Sequence, residues 1–397
     1  IKLLKILHVG KFFPPFSGGL EIYMRDAMLA LGHHGIESAA IVHKDSLSKS
    51  TSHEVLKAGK DEFQVVRVGT IAQLIFTPIS PAFPWHLHKL IKSFKPDVLH
   101  LHVPNPSAFW VLALPSAWRI PWVLHWHSDV VTTAQSWRIK VFHKPYRLFE
   151  RALLKRADAV IATSEPYLKS SETLKPWIGK CHAITPGVDT EKFGSMPEST
   201  NLSTQDNDDP DDQSISAMAA ANQERLNVLA IGRLTYYKGF RYLIEAAAKV
   251  PNVFVSLVGH GQQEQYLKSL AASLGVQDRV TFHHFLSDRE LAHQMVLCDC
   301  FCLPSIERTE AFGLVLLEAM YFSKANIIGN VPGSGMGWIV DDGVTGIKVK
   351  PADADSLAKA FTRLSQNRKE LVEMGQNGKE KFHRCFEIDH TVEDVIE

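Results

Sequence analysis

Pro304-Ser305-Ile306-Glu307-Arg308-Thr309-Glu310-Ala311-Phe312-Gly313-Leu314-Val315-Leu316-Leu317-Glu318-Ala319-Met320 follows a strand-like run, Cys298 to Leu303, and leads into a helix that the pattern opens near Phe312. A helix start leaves backbone N–H groups unpaired and carries partial positive charge. The amides of Phe312, Gly313 and Leu314 therefore form a site suited to an anion. Glu310 stands just before the turn, where a carboxylate repels phosphate but suits a neutral, hydroxyl-rich group held beside it. Glu318 lies one helical turn beyond Leu314, on the same side of the helix. Two carboxylates flanking one anion site describe a place for a sugar nucleotide, with diphosphate in the middle, sugar at one end and ribose at the other. The same residues also describe a plain helix with an exposed Glu at either end, and the stretch alone does not separate the two.

Working outward, the second half of the chain alternates strand and helix. Leu226 to Ile231 is a strand, followed by Gly232-Arg233-Leu234, a turn at Lys238-Gly239 and a helix to about Val250. Strand Val253 to Val258, the turn Gly259-His260-Gly261, helix Gln262 to Leu274, strand Arg279 to His283 and helix Asp288 to Leu297 follow. The first half reads the same way. Lys5 to Gly10 is a strand, Lys11 to Ser17 a loop, and Gly18-Gly19 open a helix through about His34. Further strands are expected at Glu37 to His43, Asp97 to Val103, Trp122 to Trp126, Ala157 to Thr163 and His182 to Thr185, with a basic helical run from Trp137 to Arg156. Two parallel α/β sheets are the expected architecture, with ligands held in a central cleft at the carboxyl ends of the strands. Between the halves, Glu198 to Gln223 is rich in Ser, Asn, Asp and Gln and too polar to bury a core, which reads as a linker or flexible insertion. The expected division is a first domain at 1–193, a linker at 194–224, a second domain at 225–380 and a terminal segment at 381–397.

At 397 residues, 45% hydrophobic and 22% charged, the chain has the composition of a globular protein of two or three domains. No apolar run is long enough to span a membrane, and Ile1 to Gly10 reads as a first strand without a cleavage site. Five cysteines without paired C-x-x-C spacing point to a reducing, cytoplasmic setting. Cys298, Cys300 and Cys302 alternate as apolar filler on one strand face, since no second ligand cluster of suitable spacing accompanies them. Net charge is zero but uneven. Residues 1–185 hold 23 Lys and Arg against 13 Asp and Glu, an excess that suits a membrane surface or a phosphate-bearing acceptor.

Several small constellations bear on chemistry. Arg233 and Lys238 lie just past a strand end, where Arg grips two phosphate oxygens and Lys adds a compact charge. Gly18 and Gly19 open a helix after a strand and suit either a tight turn or a diphosphate. Gly259-His260-Gly261 resembles part of a dinucleotide fingerprint, but Glu264 stands where a third glycine belongs, which argues against nicotinamide while leaving a pyrophosphate contact. His127, in His125-Trp126-His127-Ser128-Asp129, ends a strand and is a candidate to hydrogen-bond a sugar; His100, His102 and His125 read as core or rim packing. Asp206-Asn207-Asp208 spells a metal-binding D-x-D but sits in the acidic linker, so no metal is expected. No G-x-S-x-G elbow supports Ser-His-Asp catalysis.

Taken together, Gly18-Gly19, His127, Gly232-Arg233-Leu234 with Lys238-Gly239, Gly259 and Gly261, Pro304-Ser305, and Glu310 and Glu318 within EAFGLVLLEAM resemble glycosyltransferase family 4 over nearly the whole chain. The resemblance implies a GT-B architecture: two Rossmann-like domains facing a central cleft, with C-terminal helices crossing back to the first. It also implies retention of anomeric configuration without a metal or other cofactor. By position, Arg233 and Lys238 would bind the diphosphate, Glu318 the ribose and Glu310 the donor sugar. Gly313 and Leu314 would give amides to phosphate, Gly19 would close over it, and His127 would touch the sugar. Phe285 lies beside His284, where many members have Gly next to the nucleotide base, and Gly333-Ser334-Gly335-Met336-Gly337-Trp338 replaces a G-G-x-x-E pattern. The donor would be GDP- or UDP-linked, and similar wording among enzymes of bacterial surface polysaccharides suggests mannose, a lipid-linked or oligosaccharide acceptor and the inner face of the membrane. A sugar-nucleotide epimerase of the same fold, a non-catalytic sugar-nucleotide sensor and, more distantly, a nicotinamide dehydrogenase are the alternatives.

Overall fold

Parallel strands buried on both faces read as near-continuous apolar runs, and the central strands of both sheets follow that rule. In the first half they are β1 (Lys5–Val9), β2 (Glu37–Leu47), β3 (Ser52–Ala58), β4 (Asp61–Thr70), β5 (Ala72–Leu74), β6 (Thr77–Ile79), β7 (Val98–Val103), β8 (Trp122–Trp126), β9 (Ala159–Ala162) and β10 (Cys181–Ala183). In the second half they are β11 (Leu226–Ile231), β12 (Val253–Val258), β13 (Val280–His283), β14 (Cys300–Leu303), β15 (Ala325–Gly329) and β16 (Gly346–Val349). The computed structural model describes residues 3–15, 18–58, 61–74, 77–130, 137–194, 225–284 and 286–397. Phe285, the Asp206-Asn207-Asp208 motif and all but the first residue of the expected linker lie outside the described residues.

The chain divides into two compact units, Ile1–Val188 with Ile388–Glu397, and Asp189–Glu387. In the first unit the strand order is β10-β9-β8-β7-β1-β2-β4-β3, parallel except for the antiparallel β3–β4 pair. In the second it is β13-β12-β11-β14-β15-β16, parallel throughout. Each order reverses direction once, between β1 and β7 and between β11 and β14. At such a switch point the flanking loops part and leave a crevice outside the strand ends.

The second unit's core gathers Val228, Leu257, Ile327 and the buried Cys300 and Cys302 against Leu243, Ile244, Leu267 and Phe361 from the flanking helices. The helix expected near Phe312 starts two residues later, at Leu314–Tyr321, because Gly313 takes the left-handed conformation (φ 88°) that ends the preceding loop. The first unit holds four strands that the sequence reading passed over, β3, β4 and the small β5–β6 hairpin. Arg67 on β4 explains part of that extension: it pairs with Glu54 on β3 and donates to the Phe13 carbonyl at 3.0 Å.

The division falls at 188/189, not 193/194, because Phe193 stacks on Tyr321 at 5.6 Å and Lys192 pairs with Glu318, both in the second unit. Likewise the return to the first unit comes at Ile388, not at 381. Helix Arg368–Cys385 belongs entirely to the second unit, and only helix Ile388–Ile396 joins the first. There the Ile388 amide donates to the Val188 carbonyl at 3.2 Å and the Thr391 hydroxyl to the Thr185 carbonyl at 2.7 Å. Among the described residues no helix is long and apolar enough to cross a membrane.

Candidate active site

The second unit's switch point brings together the loops that follow β11 and β14. After β11, Gly232 leads to a short turn, Tyr236–Lys238, that closes at Gly239 in the left-handed conformation (φ 69°). No larger residue fits at Gly239: a Cβ would meet the Pro304 carbonyl oxygen at 2.1 Å. The Ile306 amide then donates to the Tyr237 carbonyl at 2.8 Å, which ties the two loops.

That close approach places Lys238 against Glu310. The ammonium lies 2.5 Å from a Glu310 carboxylate oxygen, and the Ser305 hydroxyl donates to the same oxygen at 2.9 Å. Both charged residues are 9% exposed. Burial by itself would lower the Lys238 pKa; the adjoining Glu310 carboxylate outweighs it and holds the lysine above its usual value, with the Arg233 charge acting against it. Arg233 is exposed and has no ion pair among the described residues. The Glu310 loop is braced from behind by Gly333-Ser334-Gly335: the Ser334 hydroxyl donates to the Glu310 carbonyl at 2.5 Å, and the Gly335 amide to that of Ala311 at 2.7 Å.

Beyond Glu310, the amides of Phe312, Gly313 and Leu314 have no hydrogen-bond partner among the described residues and sit at the start of helix Leu314–Tyr321. Glu318, on that helix and 8% exposed, is held by Lys192 at 2.8 Å. No ion pair or hydrogen bond among the described residues links it to the Lys238–Glu310 pair. Lys192 is the member the sequence reading missed. Its neighbourhood, Asp189 to Phe193, looks like the polar approach to the linker, and only the tertiary stacking of Phe193 brings it to the helix. Since each carboxylate already has its lysine, Arg233 and the helix start leave the site with a surplus of positive potential, which suits a diphosphate.

Gly259 and Gly261 have a structural reason apart from any ligand. An added Cβ would come within 2.0 Å of the Gly232 carbonyl oxygen and 2.5 Å of that of Leu234. Their loop thus packs directly on the one that carries Arg233. Glu264, in the missing glycine's place, pairs with Lys268 at 2.7 Å and approaches the His284 imidazole at 3.3 Å.

In the first unit Gly18 is the extended residue that precedes helix Gly19–His33, and its carbonyl accepts from the Ile22 amide at 3.0 Å. His127 follows β8, its amide bonded to the Val103 carbonyl at 2.9 Å. Its ring stands edge-on to Tyr23 and next to His102 and His125. His8, His100, His102 and His125 are buried beside it; His8, on β1, went unnoticed in sequence, although the period-two pattern of LHLHV and LHWH pairs naturally with KILHV. Burial, with a contribution from His100, pushes the His127 imidazole down to about 3, and burial pushes His100 down to about 4.

Two doubly wound α/β units in one chain, the second with a cation–carboxylate pair and an open helix start at its switch point, define the GT-B class. The Glycosyltransferase Family 4 model matches residues 17–192 and the Glycosyl transferases group 1 model residues 211–381. The O-antigen chain mannosyltransferase C of Escherichia coli is 26% identical over 99% of this chain and 97% of its own length. The D-rhamnosyltransferase WbpZ of Pseudomonas aeruginosa is 26% identical over 96% of this chain and 92% of its own. Anabaena Alr3699/HepE, solved in complex with UDP-glucose, superposes with a TM-score of 0.71 at 20% identity, over 99% of each chain. The chain belongs to glycosyltransferase family 4, the group 1 glycosyltransferases, and is a transferase.

Proposed function

We propose that the protein moves a hexose, mannose by preference, from a nucleoside diphosphate sugar to a lipid-linked or oligosaccharide acceptor during synthesis of a cell-surface polysaccharide, with retention of configuration and without a metal. The observation that carries this reading is the buried Lys238–Glu310 pair, set beside Arg233 and the free amides that open helix Leu314–Tyr321. Negative charge grows on the departing diphosphate as the glycosidic bond breaks. A fixed cation in a poorly solvated site stabilises that charge far more than water does. Lys238 and Arg233 take that role, the amides of Phe312, Gly313 and Leu314 hold phosphate oxygens, Glu310 accepts from sugar hydroxyls and Glu318 from the ribose. Contacts to the donor are also assigned to Gly18, Gly19 and His127, and a donor phosphate oxygen takes the acceptor proton, so no protein nucleophile is required.

Mannose is favoured by the mannosyltransferase relative, and the deoxyhexose of the rhamnosyltransferase relative is the nearest variation. A nucleoside diphosphate donor, GDP- or UDP-linked, is in keeping with the UDP-glucose complex of the structural neighbour. The basic first half and the exposed Trp85, Trp110 and Trp118 support a cytoplasmic enzyme working at the membrane face. The test is product analysis with donor and acceptor in EDTA. Transfer continues undiminished and the new linkage keeps the donor's anomeric configuration. Inversion, or full loss of activity that a divalent ion restores, overturns the mechanism, and conversion of donor without acceptor points to an epimerase.

A further inference from the structure

Five histidines of the first unit stand on one face of the sheet, where β1, β7 and β8 run side by side: His8 is the register partner of His100, and His102 of His125. They form two rows. In the first, His8 Nδ1 lies 3.1 Å from His102 Nε2, and His102 Nδ1 lies 3.0 Å from His127 Nε2. In the second, His100 Nε2 lies 3.2 Å from His125 Nδ1. The rows stack, with His125 on His127 at 4.3 Å and 5°, and His100 on His102 at 4.7 Å and 20°.

The nitrogens of His8, His100 and His102 fall within 4.8 Å of one another, as those of a metal site would. The ring positions argue for something else. Centroids in the first row are 5.4 and 5.3 Å apart, which is the nitrogen separation plus the two centre-to-nitrogen distances of an imidazole pair. The nitrogens therefore meet head-on, the alignment of a hydrogen bond. A metal shared by two rings needs lone pairs that converge at an angle on a third point, and this alignment leaves none.

Burial holds His8 and His102 well below the usual histidine pKa, so the row is neutral at ordinary pH. Each ring then has one donor and one acceptor, and the row has only two possible polarities. Pointing inward, it would put a hydrogen on His8 Nε2, which is buried with no partner among the described residues. An orphaned buried N–H is the rarer and costlier defect. Pointing outward, His8 Nε2 is a bare lone pair and the hydrogens sit on Nδ1 of all three rings. The row ends at His127, which is only partly buried and whose Nδ1 has no hydrogen bond among the described residues.

We infer that His8 and His102 are positioning residues: the row they form fixes the tautomer of His127, so that its Nδ1–H is offered as a donor to an oxygen of the nucleoside diphosphate sugar. The other tautomer would turn a lone pair toward that substrate, which a sugar hydroxyl could meet as donor but a phosphate oxygen could not. The ligand half of this inference rests on the assignment of His127 under Proposed function; the tautomer half does not.

The test uses the full chain labelled with ¹⁵N-histidine and long-range ¹H–¹⁵N correlation, which distinguishes protonated from bare ring nitrogens. The wild type shows a protonated Nδ1 and bare Nε2 at His127. His102→Phe keeps an aromatic disc but removes both nitrogens; it mixes the two tautomers at His127. It also lowers kcat about tenfold to a hundredfold with KM little changed, the scale known for groups that orient metal-bound imidazoles. A protonated Nε2 at His127 in the wild type overturns the inference, as does an unmixed tautomer in the folded His102→Phe protein. The wild-type measurement decides even where the variant does not fold. It needs no substrate, so a failure of every nucleotide sugar to react sinks the functional reading and leaves the tautomer result intact.

Discussion

Lys238→Met lowers kcat for sugar transfer about a hundredfold to a thousandfold, the usual cost of removing one preorganised group that faces developing charge. The same change strips the buried Glu310 of its partner, and breaking a buried pair from one side costs about 3–5 kcal/mol of stability. The two effects separate in the double variant Lys238→Met/Glu310→Gln. A neutral amide at 310 needs no counter-charge and keeps the Ser305 hydroxyl bond seen at 2.9 Å, so most of the lost stability returns. Turnover does not return, because the buried cation is gone and only the exposed Arg233 is left facing the leaving group. Urea melts and steady-state kinetics on the wild type and both variants check this. Recovery of turnover together with stability would mean that Lys238 serves the fold and not the chemistry.

The second large effect is acid lability. His100 and His127 are held down to about 4 and about 3, against an ordinary value of 6.5, and His8, His102 and His125 are pushed down as well, burial being the first cause for all five. A group with a depressed folded pKa contributes stability that is fully present above its unfolded value and is lost as pH falls through the folded one. Each such histidine therefore removes about 1.4 kcal/mol per pH unit once the unfolded chain takes up its proton. His100 alone accounts for about 3 kcal/mol between pH 6.5 and 4, and the stacked neighbours steepen the fall. Unfolding free energy measured in urea from pH 7.5 down to pH 5 drops accordingly, with the slope setting in near pH 6.5. A flat profile over that interval would show that the rings take up protons without cost.

Much of this was legible in the chain because it is written in local pattern. The strands of the second unit, β11 and β12 to the residue, follow from short apolar runs bounded by glycine, and the turn at Gly313 follows from a glycine before LVLLEA. Lys238 and Glu310 lie past the ends of β11 and β14, which neighbour each other at the switch point, so their ion pair follows from the pattern of strands. What escaped notice depends on contacts distant in sequence. Lys192 reaches Glu318 across 126 positions, and nothing around it signals that contact. The histidine row is assembled from β1, β7 and the residue just past β8; His8 sits in an unremarkable β1, and the value of His102 shows only when its two nitrogens are seen to face two different rings. The β3–β4 extension carries charged and polar residues in alternation with apolar ones, which weakens the signal of a buried parallel strand.

Binding of nucleoside diphosphate sugars in EDTA, read by calorimetry on the wild type and on Lys238→Met, tests the central assignment most directly. A GDP- or UDP-linked hexose binds the wild type without any metal, and the substitution weakens that binding at least about tenfold, a loss of about 1.4 kcal/mol. Equal affinity in both proteins, or no binding of any such donor to the wild type, would contradict the placement of the donor at Lys238, Glu310 and the start of helix Leu314–Tyr321.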